Sequence, residues 1–476
     1  MYGIRSVLDI AKGALLAQEK ALAVSSHNLA NVNTPGYSRQ KALLESNAPI
    51  SSLRIKIGMG VRVASIIQYV DHFTIRNIYQ KTSSFKEYET KSSILSQMEA
   101  IFNETREFGL TQAMNEFWRA WQDLSNNPGG IAERTALLTK GEILALRFNS
   151  MNNDLTQIRG ELNNNLGLAV TELNRLVKEI AEINEKIVMV ESSGTSANDL
   201  RDLRRNNLEK LSELVGNVYL EDENGALKVM TSTGIMLVNG NHFWQLSQKG
   251  DEIYWNNIEN DISYRLRGGK IGALLDLRDE VIPQTLANLD ELAGTLIREV
   301  NRLHTEGYTL LRETGKYFFE NFDGDDYRGA SAFIKLSEDV KNAPNNIAAA
   351  GDSGEPGDNE NALRILALQM NPNIEIRKWS YEDRGTAVSN EIQMTSLDHY
   401  YGMLVGEIGI LADEYNENKD FSQVLLNNLN ELRDSVSGVN LDEEMVELMK
   451  IQRAHEAASK LVALADEMLR SLLEMR

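Results

Sequence analysis

The 476 residues include no cysteine, which excludes a thiol nucleophile, a disulfide framework and any zinc or iron–sulfur site built on thiolates. The absence also suits a chain that crosses membranes unfolded or works outside the cell. Nowhere do 18 apolar residues follow one another, so no membrane insertion is expected. The apolar stretch from Ile10 to Ala17 is broken by Lys12 and followed by Gln18-Glu19-Lys20, which is not the pattern of a cleavable signal peptide. Basic residues are in deficit: 49 Lys and Arg stand against 69 Asp and Glu, a formal charge of −20. Repulsion between that charge and phosphates argues against nucleic acid or an anionic membrane surface as a partner. What is present is ordinary for soluble domains, 42% hydrophobic and 25% charged, with length enough for two to four cores.

Apolar periodicity carries most of the remaining information. Ile4, Leu8, Ala11, Leu15, Gln18, Leu22, Ser25, Leu29 and Val32 alternate in steps of four and three, a heptad stripe that predicts one helix over residues 4–32. Asn31, Val32 and Asn33 can supply left-handed C-cap conformers, and Thr34, Pro35, Gly36 and Tyr37 force an extended residue and a turn. At the other extremity Ile451, Ala454, Ala458, Leu461, Ala465, Met468, Leu472 and Met475 repeat the pattern. Gly438-Val439-Asn440 turns into an acid-rich first helical turn at Leu441-Asp442-Glu443-Glu444, where carboxylates complement the macrodipole. A lone pair of such helices buries too little to be robust, so neighbours are expected, supplied within one bundle or by other subunits in a head-to-tail array.

Between the ends, residues 41–70 are rich in β-branched side chains and read as extended, and a helical run follows from Phe73 toward Glu104. Met114, Phe117, Trp118, Trp121 and Leu124 make a further stripe, best read as core. From Ile131 to Val190 the heptads recur with a single stutter at Leu162, a rod of roughly 90 Å at 1.5 Å per residue. Residues 213–267 change period: strands are expected at 218–220, 227–229, 235–238, 243–246, 253–255 and 262–266, punctuated by Asn224-Gly225, Asn239-Gly240 and Lys249-Gly250. Helices are expected again after Gly268-Gly269 and, beyond a loop-rich stretch at 312–358, from about Asn361, including a long one from Val388 to Asn416. The expected fold is mainly α with an inserted β domain, elongated and multi-domain. Residues 1–70 and 437–476 would form a terminal helical and extended assembly domain, 71–198 and 270–436 a long helical bundle, and 199–269 a small outer all-β domain.

No catalytic, cofactor-binding or metal site is predicted. The histidines at 27, 72, 242, 304, 399 and 455 are scattered singly, without ligand spacing. Gly268-Gly269-Lys270 lacks the other elements of a phosphate loop, and Gly58-Met59-Gly60 lacks the third glycine of a dinucleotide fingerprint. Asp323-Gly324-Asp325-Asp326 has no glutamate at the twelfth position of a calcium loop. Carboxylate pairs are too common in an acidic chain to signal catalysis.

Two segments resemble a known family. Asn28-Leu29-Ala30-Asn31-Val32-Asn33-Thr34-Pro35-Gly36-Tyr37-Ser38-Arg39-Gln40 resembles the N-terminal signature of the bacterial flagellar rod, hook and hook-associated axial proteins. Ser437-Gly438-Val439-Asn440-Leu441-Asp442-Glu443-Glu444 looks like the C-terminal signature of the hook-associated members. Stretches at 60–73, 268–279 and 350–363 match in the same order.

The resemblance implies a non-enzymatic structural subunit of the flagellum, an extracellular adaptor ring at the hook–filament junction. It would be exported through the flagellar type III apparatus without a cleaved signal peptide, with terminal helices paired as a coiled coil. The implied partners are other copies of the chain in a ring, hook protein below, the third hook-associated protein above, and an export chaperone of the FlgN type. The assembly interface would then be Ile4, Leu8, Ala11, Leu15, Leu22, Leu29, Val32, Ile451, Ala454, Ala458, Leu461, Ala465, Met468, Leu472 and Met475. Leu461, Met468, Leu472 and Met475 would also be the chaperone-binding candidates, and Asn31, Asn33, Thr34, Pro35, Gly36 and Tyr37 the axial-protein motif. The alternatives are another flagellar axial protein (hook, rod or third hook-associated protein) and, outside that class, a cytoplasmic coiled-coil scaffold or enzyme.

Overall fold

The computed structural model describes residues 2–52, 55–102, 109–256, 258–323, 326–351, 355 and 357–474, with the backbone alone for 2–4, 50–52, 55–57 and 472. The first helix, α1 (Tyr2–Ala30), ends at the Asn-Val-Asn-Thr-Pro-Gly turn, as the sequence predicts. Four short strands follow, β1 (Gln40–Ser46), β2 (Ile50–Ser52), β3 (Ile55–Ile57) and β4 (Val61–Gln68), with β1 antiparallel to β4 and β2 to β3. The helical body begins with α2 (His72–Phe102), α3 (Leu110–Asn126) and α4 (Ile131–Glu191). As its recurring heptads lead one to expect, α4 is a single helix of 61 residues, unbroken at the Leu162 stutter.

α5 (Asn198–Leu214) packs on α4 and α2, so the first part of the expected 199–269 β segment is helical instead. The strands proper are β5 (Asn217–Glu221), β6 (Leu227–Thr231), β7 (Met236–Asn239) and β8 (His242–Phe243), a four-stranded meander, followed by the hairpin β9 (Leu246–Lys249) and β10 (Glu252–Trp255). The strand expected at 262–266 is a 3₁₀ turn, Ser263–Arg265. The Asp261 carboxylate accepts from the backbone N–H groups of Ser263, at 2.9 Å, and of Ile253, at 3.1 Å, and so folds the chain back.

α6 (Gly269–Asp276) runs through a π turn at Leu277–Val281 into α7 (Ile282–Glu306), and α8 (Ala330–Phe333), α9 (Glu338–Lys341) and α10 (Glu360–Leu366) are short. The helical expectation beyond Asn361 needs correction. Residues 374–395 form a hairpin, β11 (Ile374–Glu382) paired antiparallel with β12 (Ala387–Thr395). Asn288 of α7 pairs with the backbone of Trp379 in both directions, its Oδ1 accepting at 2.7 Å and its Nδ2 donating at 3.2 Å, which holds β11 extended against α7. The long helix expected from Val388 starts only at α11 (Leu397–Ser437), where the Ser396 hydroxyl caps the His399 N–H, and α12 (Leu441–Glu474) closes the described chain.

Among the described residues the buried apolar side chains form one large core. It runs from α2, α3 and α4 through the strands of the meander to α7 and α11, with a small satellite at Ile183, Ile187 and Ala197. The two to four cores that the length allows have merged. Leu173, Leu176 and Ile180 of α4 share that core with Leu227, Val229, Leu237, Leu246 and Ile253 of the strands, so the β element leans on the long helix. Phe117, Trp118 and Trp121 are buried there as expected. No described residue of α1 or α12 belongs to either cluster. The terminal helices pack mainly on each other, and α1 also on β1 and β4.

Candidate assembly interface

The terminal pair is built on small side chains. On α12 the buried seam is Ile451, Ala458 and Ala465, one residue every seven, with Ala454 half-buried, all positions the heptad reading selected. On α1 the deepest apolar residues are Ala11, Ala17 and Val24. Of these only Ala11 belongs to the predicted stripe, whereas Leu8, Leu15, Leu22, Leu29 and Val32 are half-buried at its edge. The difference has a physical cause: α1 serves two partners, α12 and the β1–β4 sheet, so its inner face is wider than a two-helix seam. The side chains of Ile4 and Leu472 and the whole of Met475 lie outside the described residues.

Larger apolar side chains stay in solvent. Leu461 is 44% exposed and Met468 49%, and Met445, Met449, Leu464 and Leu473 are open too, as are Val7 and Leu16 of α1. Uncovered apolar groups of this size along a helix are of the kind that another protein surface can bury.

Polar contacts join the terminal pair to the body, and both sequence signatures supply them. Arg39 Nε donates to Glu444 Oε1 at 2.7 Å and Arg39 Nη1 to Glu443 Oε2 at 2.7 Å, while its backbone N–H donates to the Ser437 carbonyl at 2.9 Å. Glu444 is buried; its second oxygen accepts from Ser25 Oγ of α1 at 2.6 Å. The carboxylate therefore ties α12, α1 and the strand entry together. Burial works against the Arg39 charge, but the bonds to Glu443 and Glu444 outweigh it and hold its pKa above the ordinary value. Asn440 Oδ1 accepts from the N–H of Asp442 at 2.9 Å, an Asn cap of the kind that starts helices.

The motif around Pro35 is the other half of this joint. Asn28, buried on α1, bonds the backbone of Gln40 in both directions, at 2.8 and 2.9 Å, and accepts from the Tyr37 hydroxyl at 2.8 Å. Burial, followed by the nearby charges of Asp199 and Glu444, keeps that phenol protonated well beyond its usual range. Asn31 Nδ2 donates to the His27 carbonyl at 3.0 Å and its Oδ1 accepts from Thr34, closing the turn, while Asn33 and Pro35 are exposed. Gly36 has φ +75° and sits against Asn206 of α5. From α5 the Asp202 carboxylate accepts from Ser38 N–H at 3.2 Å, Arg205 donates to Ser38 Oγ at 2.8 Å, and Asp199 accepts from Gln40 Nε2 at 2.8 Å. A cleft of about 740 Å³ remains between Asn31–Arg39, α2, α5 and the Arg433–Leu441 segment.

Arg39 and Glu444 stand inside the two signatures, but the sequence alone assigns neither a role. Their opposite charges were the available signal, masked because Glu444 also suits a helix N-terminus. Asp202, Arg205 and Asn206 carried no signal, since α5 resembles any polar surface helix. Among the described residues no group of His, Asp and Glu could hold a metal ion, and no helix is long and apolar enough to cross a membrane.

Comparison with known proteins follows the same anatomy. Residues 8–37 match the flagella basal body rod protein family and 434–475 the C-terminal family of the flagellar basal body rod FlgEFG proteins; these two segments are the terminal pair and its joint. Residues 95–319 match the helical domain of flagellar hook-associated protein FlgK. Flagellar hook-associated protein 1 of Bacillus subtilis is 29% identical over 503 residues, covering 97% of this chain and 96% of that protein. Its namesake in Escherichia coli is 24% identical over 552 residues, covering 99% and 100%. The solved structure of the flagellar hook junction protein FlgK from Burkholderia pseudomallei, at 16% identity, shares the fold with a TM-score of 0.63 over 76% of this chain and all of that one. Along nearly its whole length the chain is thus similar to the FlgK family, that of flagellar hook-associated protein 1.

Proposed function

We propose that this chain is a structural subunit of the flagellum at the hook–filament junction, closing with copies of itself into an adaptor ring through the open faces of α1 and α12. One observation carries the mechanism: among the described residues the terminal pair shares no apolar core with the body and leaves Leu461 and Met468 uncovered. Apolar surface of this extent gains free energy when a neighbour removes it from water, at about 25 cal/mol per Å². A heterologous contact of one copy's terminal pair with the next repeats head to tail and closes into a ring where the rotation allows. In this reading the ends 1–70 and 437–476 assemble, and the helical body and strands face outward. Hook protein lies below and the third hook-associated protein above. Before assembly the uncovered stripe at Leu461 and Met468 suits an export chaperone, and the chain leaves the cell by type III export. The family is structural, and no reaction is assigned to it.

The test is Leu461→Glu combined with Met468→Glu. Both side chains are exposed, so the monomer should fold. Supplied as purified subunit to cells lacking the protein, which bypasses any lost chaperone contact, it should leave filaments attached to hooks about ten-fold or more rarer than the wild-type subunit does, since each buried charge costs several kcal/mol. Attachment at the wild-type level would refute the proposal. Labelled subunits confined to one short band, not spread along a tube, separate a junction ring from a hook or rod role.

A further inference from the structure

The net charge conceals a strong polarity along the chain. From Arg39 to Lys86 there are eight Lys and Arg against two Asp and Glu, and along α11 the proportion is reversed, eight Asp and Glu against two Lys and Arg. Both regions also expose large apolar side chains.

On the basic side, register pairs Lys41 with Ile67 and Leu43 with Ser65. Alternation along the strands then places Lys41, Leu43, Ile67 and Tyr69 on one face of the two-stranded sheet, and all four are exposed. The surface continues through the turn at Asp71 to Phe73, which is 74% exposed, and to Arg76 beside it on α2. On the acidic side, Asp413, Glu417, Phe421, Val424, Glu431 and Leu432 are exposed and share one helical face about 100° wide. Among the described ion pairs none involves Lys41, Asp413, Glu417 or Glu431.

Tyr88 and Ser92 of α2 meet Tyr415 and Asn416 of α11, and at about 100° per residue Arg76 lies about 120–160° around α2 from them, while Phe73 lies nearer, at about 60–100°. The outer stripe of α11 points away from α2. One surface is basic and apolar, the other acidic and apolar, and such opposite faces suit a heterologous contact between copies, in which charge sets the register and excludes like faces.

We infer that the Lys41–Arg76 face of one copy docks on the Asp413–Leu432 stripe of α11 in the next, a lateral contact separate from the terminal helices. The inference rests on the ring proposed above.

Because the chain has no cysteine, Phe73→Cys and Val424→Cys each introduce a single thiol. In cells making both variants, a short bis-maleimide should link them into dimers in assembled junctions, and not in secreted monomer or with either variant alone. Reversing the basic face (Lys41→Glu with Arg76→Glu) or the acidic one (Glu417→Lys with Glu431→Lys) should each cut filament-bearing hooks about ten-fold, because like charges then face each other. Combining all four substitutions should restore them. Absence of the cross-link in assembled junctions, wild-type attachment by the reversed subunits, or failure of the combination to restore would overturn the inference. A parallel Ala458→Glu variant separates the two claims. If it abolishes attachment while the reversed faces do not matter, the ring stands and the lateral contact falls; if it attaches filaments normally, the ring reading itself falls.

Discussion

Arg39 and Glu444 lie 405 residues apart in sequence and meet at 2.7 Å, beside a helix pair whose described residues have no part in the body's core. With Ser25 on the other carboxylate oxygen, this contact converts two separate sequence signatures into one joint. Removing either partner of a buried ion pair typically costs about 3–5 kcal/mol; Arg39 is a quarter exposed, which puts Arg39→Ala at the low end of that range. Hydrogen exchange should therefore rise in α1 and α12 and not in α4 or α7. Exchange spread evenly over the body would show that the joint is not where the ends are held.

Gly36 is the position in the turn where a side chain is least tolerable. Its φ of +75° is a left-handed conformation, and an added Cβ would run into the Asn206 side chain. The expected cost of Gly36→Ala is about 1–2 kcal/mol, felt as faster proteolysis between residues 30 and 40. Gly36→Ala combined with Asn206→Ala removes the clash and leaves the strain, so it should recover only part of the loss.

His304 gives the body a pH dependence of definite sign. Its ring is fully buried, with Nδ1 donating to the Lys316 carbonyl at 2.7 Å and Nε2 accepting from Ala348 N–H at 3.0 Å. Burial lowers its pKa to about 4 from 6.5, since the charged ring would lose its hydration. Between pH 6.5 and 4 the unfolded chain thus binds more protons than the folded one, so stability falls as pH falls through that window, by about 3 kcal/mol in total. Asp290, whose pKa burial raises, works in the other direction. The contribution of His304 is therefore the difference between wild type and His304→Gln in urea titrations at pH 7 and pH 4.5; equal slopes against pH in both proteins would rule it out.

Long-range periodicity made much of this architecture readable. The heptads from Ile131 to Val190 became one helix despite the stutter at Leu162, and the Thr-Pro-Gly turn ended α1 where proline and glycine dictate. Ile451, Ala458 and Ala465 could be placed because α12 packs on a single partner, whereas α1 has two and its buried face shifted to Ala17 and Val24. The β11–β12 hairpin stayed hidden because its extended form depends on Asn288, which belongs to a helix nearly a hundred residues earlier. The joint was half visible: Tyr37 and Gly36 announce a turn, but nothing near them in sequence indicates that Asp202 and Arg205 receive it.

The continuity of α4 has a consequence for how members of such a family can differ in length. Asn174 and Asn184 fasten the strands to its later half, bonding the Leu246 and Leu227 backbones, while α3 packs on α4 as well. With no interruption to absorb a change, each residue inserted or deleted between those attachments turns everything downstream by about 100° and shifts it about 1.5 Å. Single-residue drift would swing the strands off their seat, and only steps close to whole numbers of turns, such as seven, eleven or eighteen residues, would leave the outer element in phase.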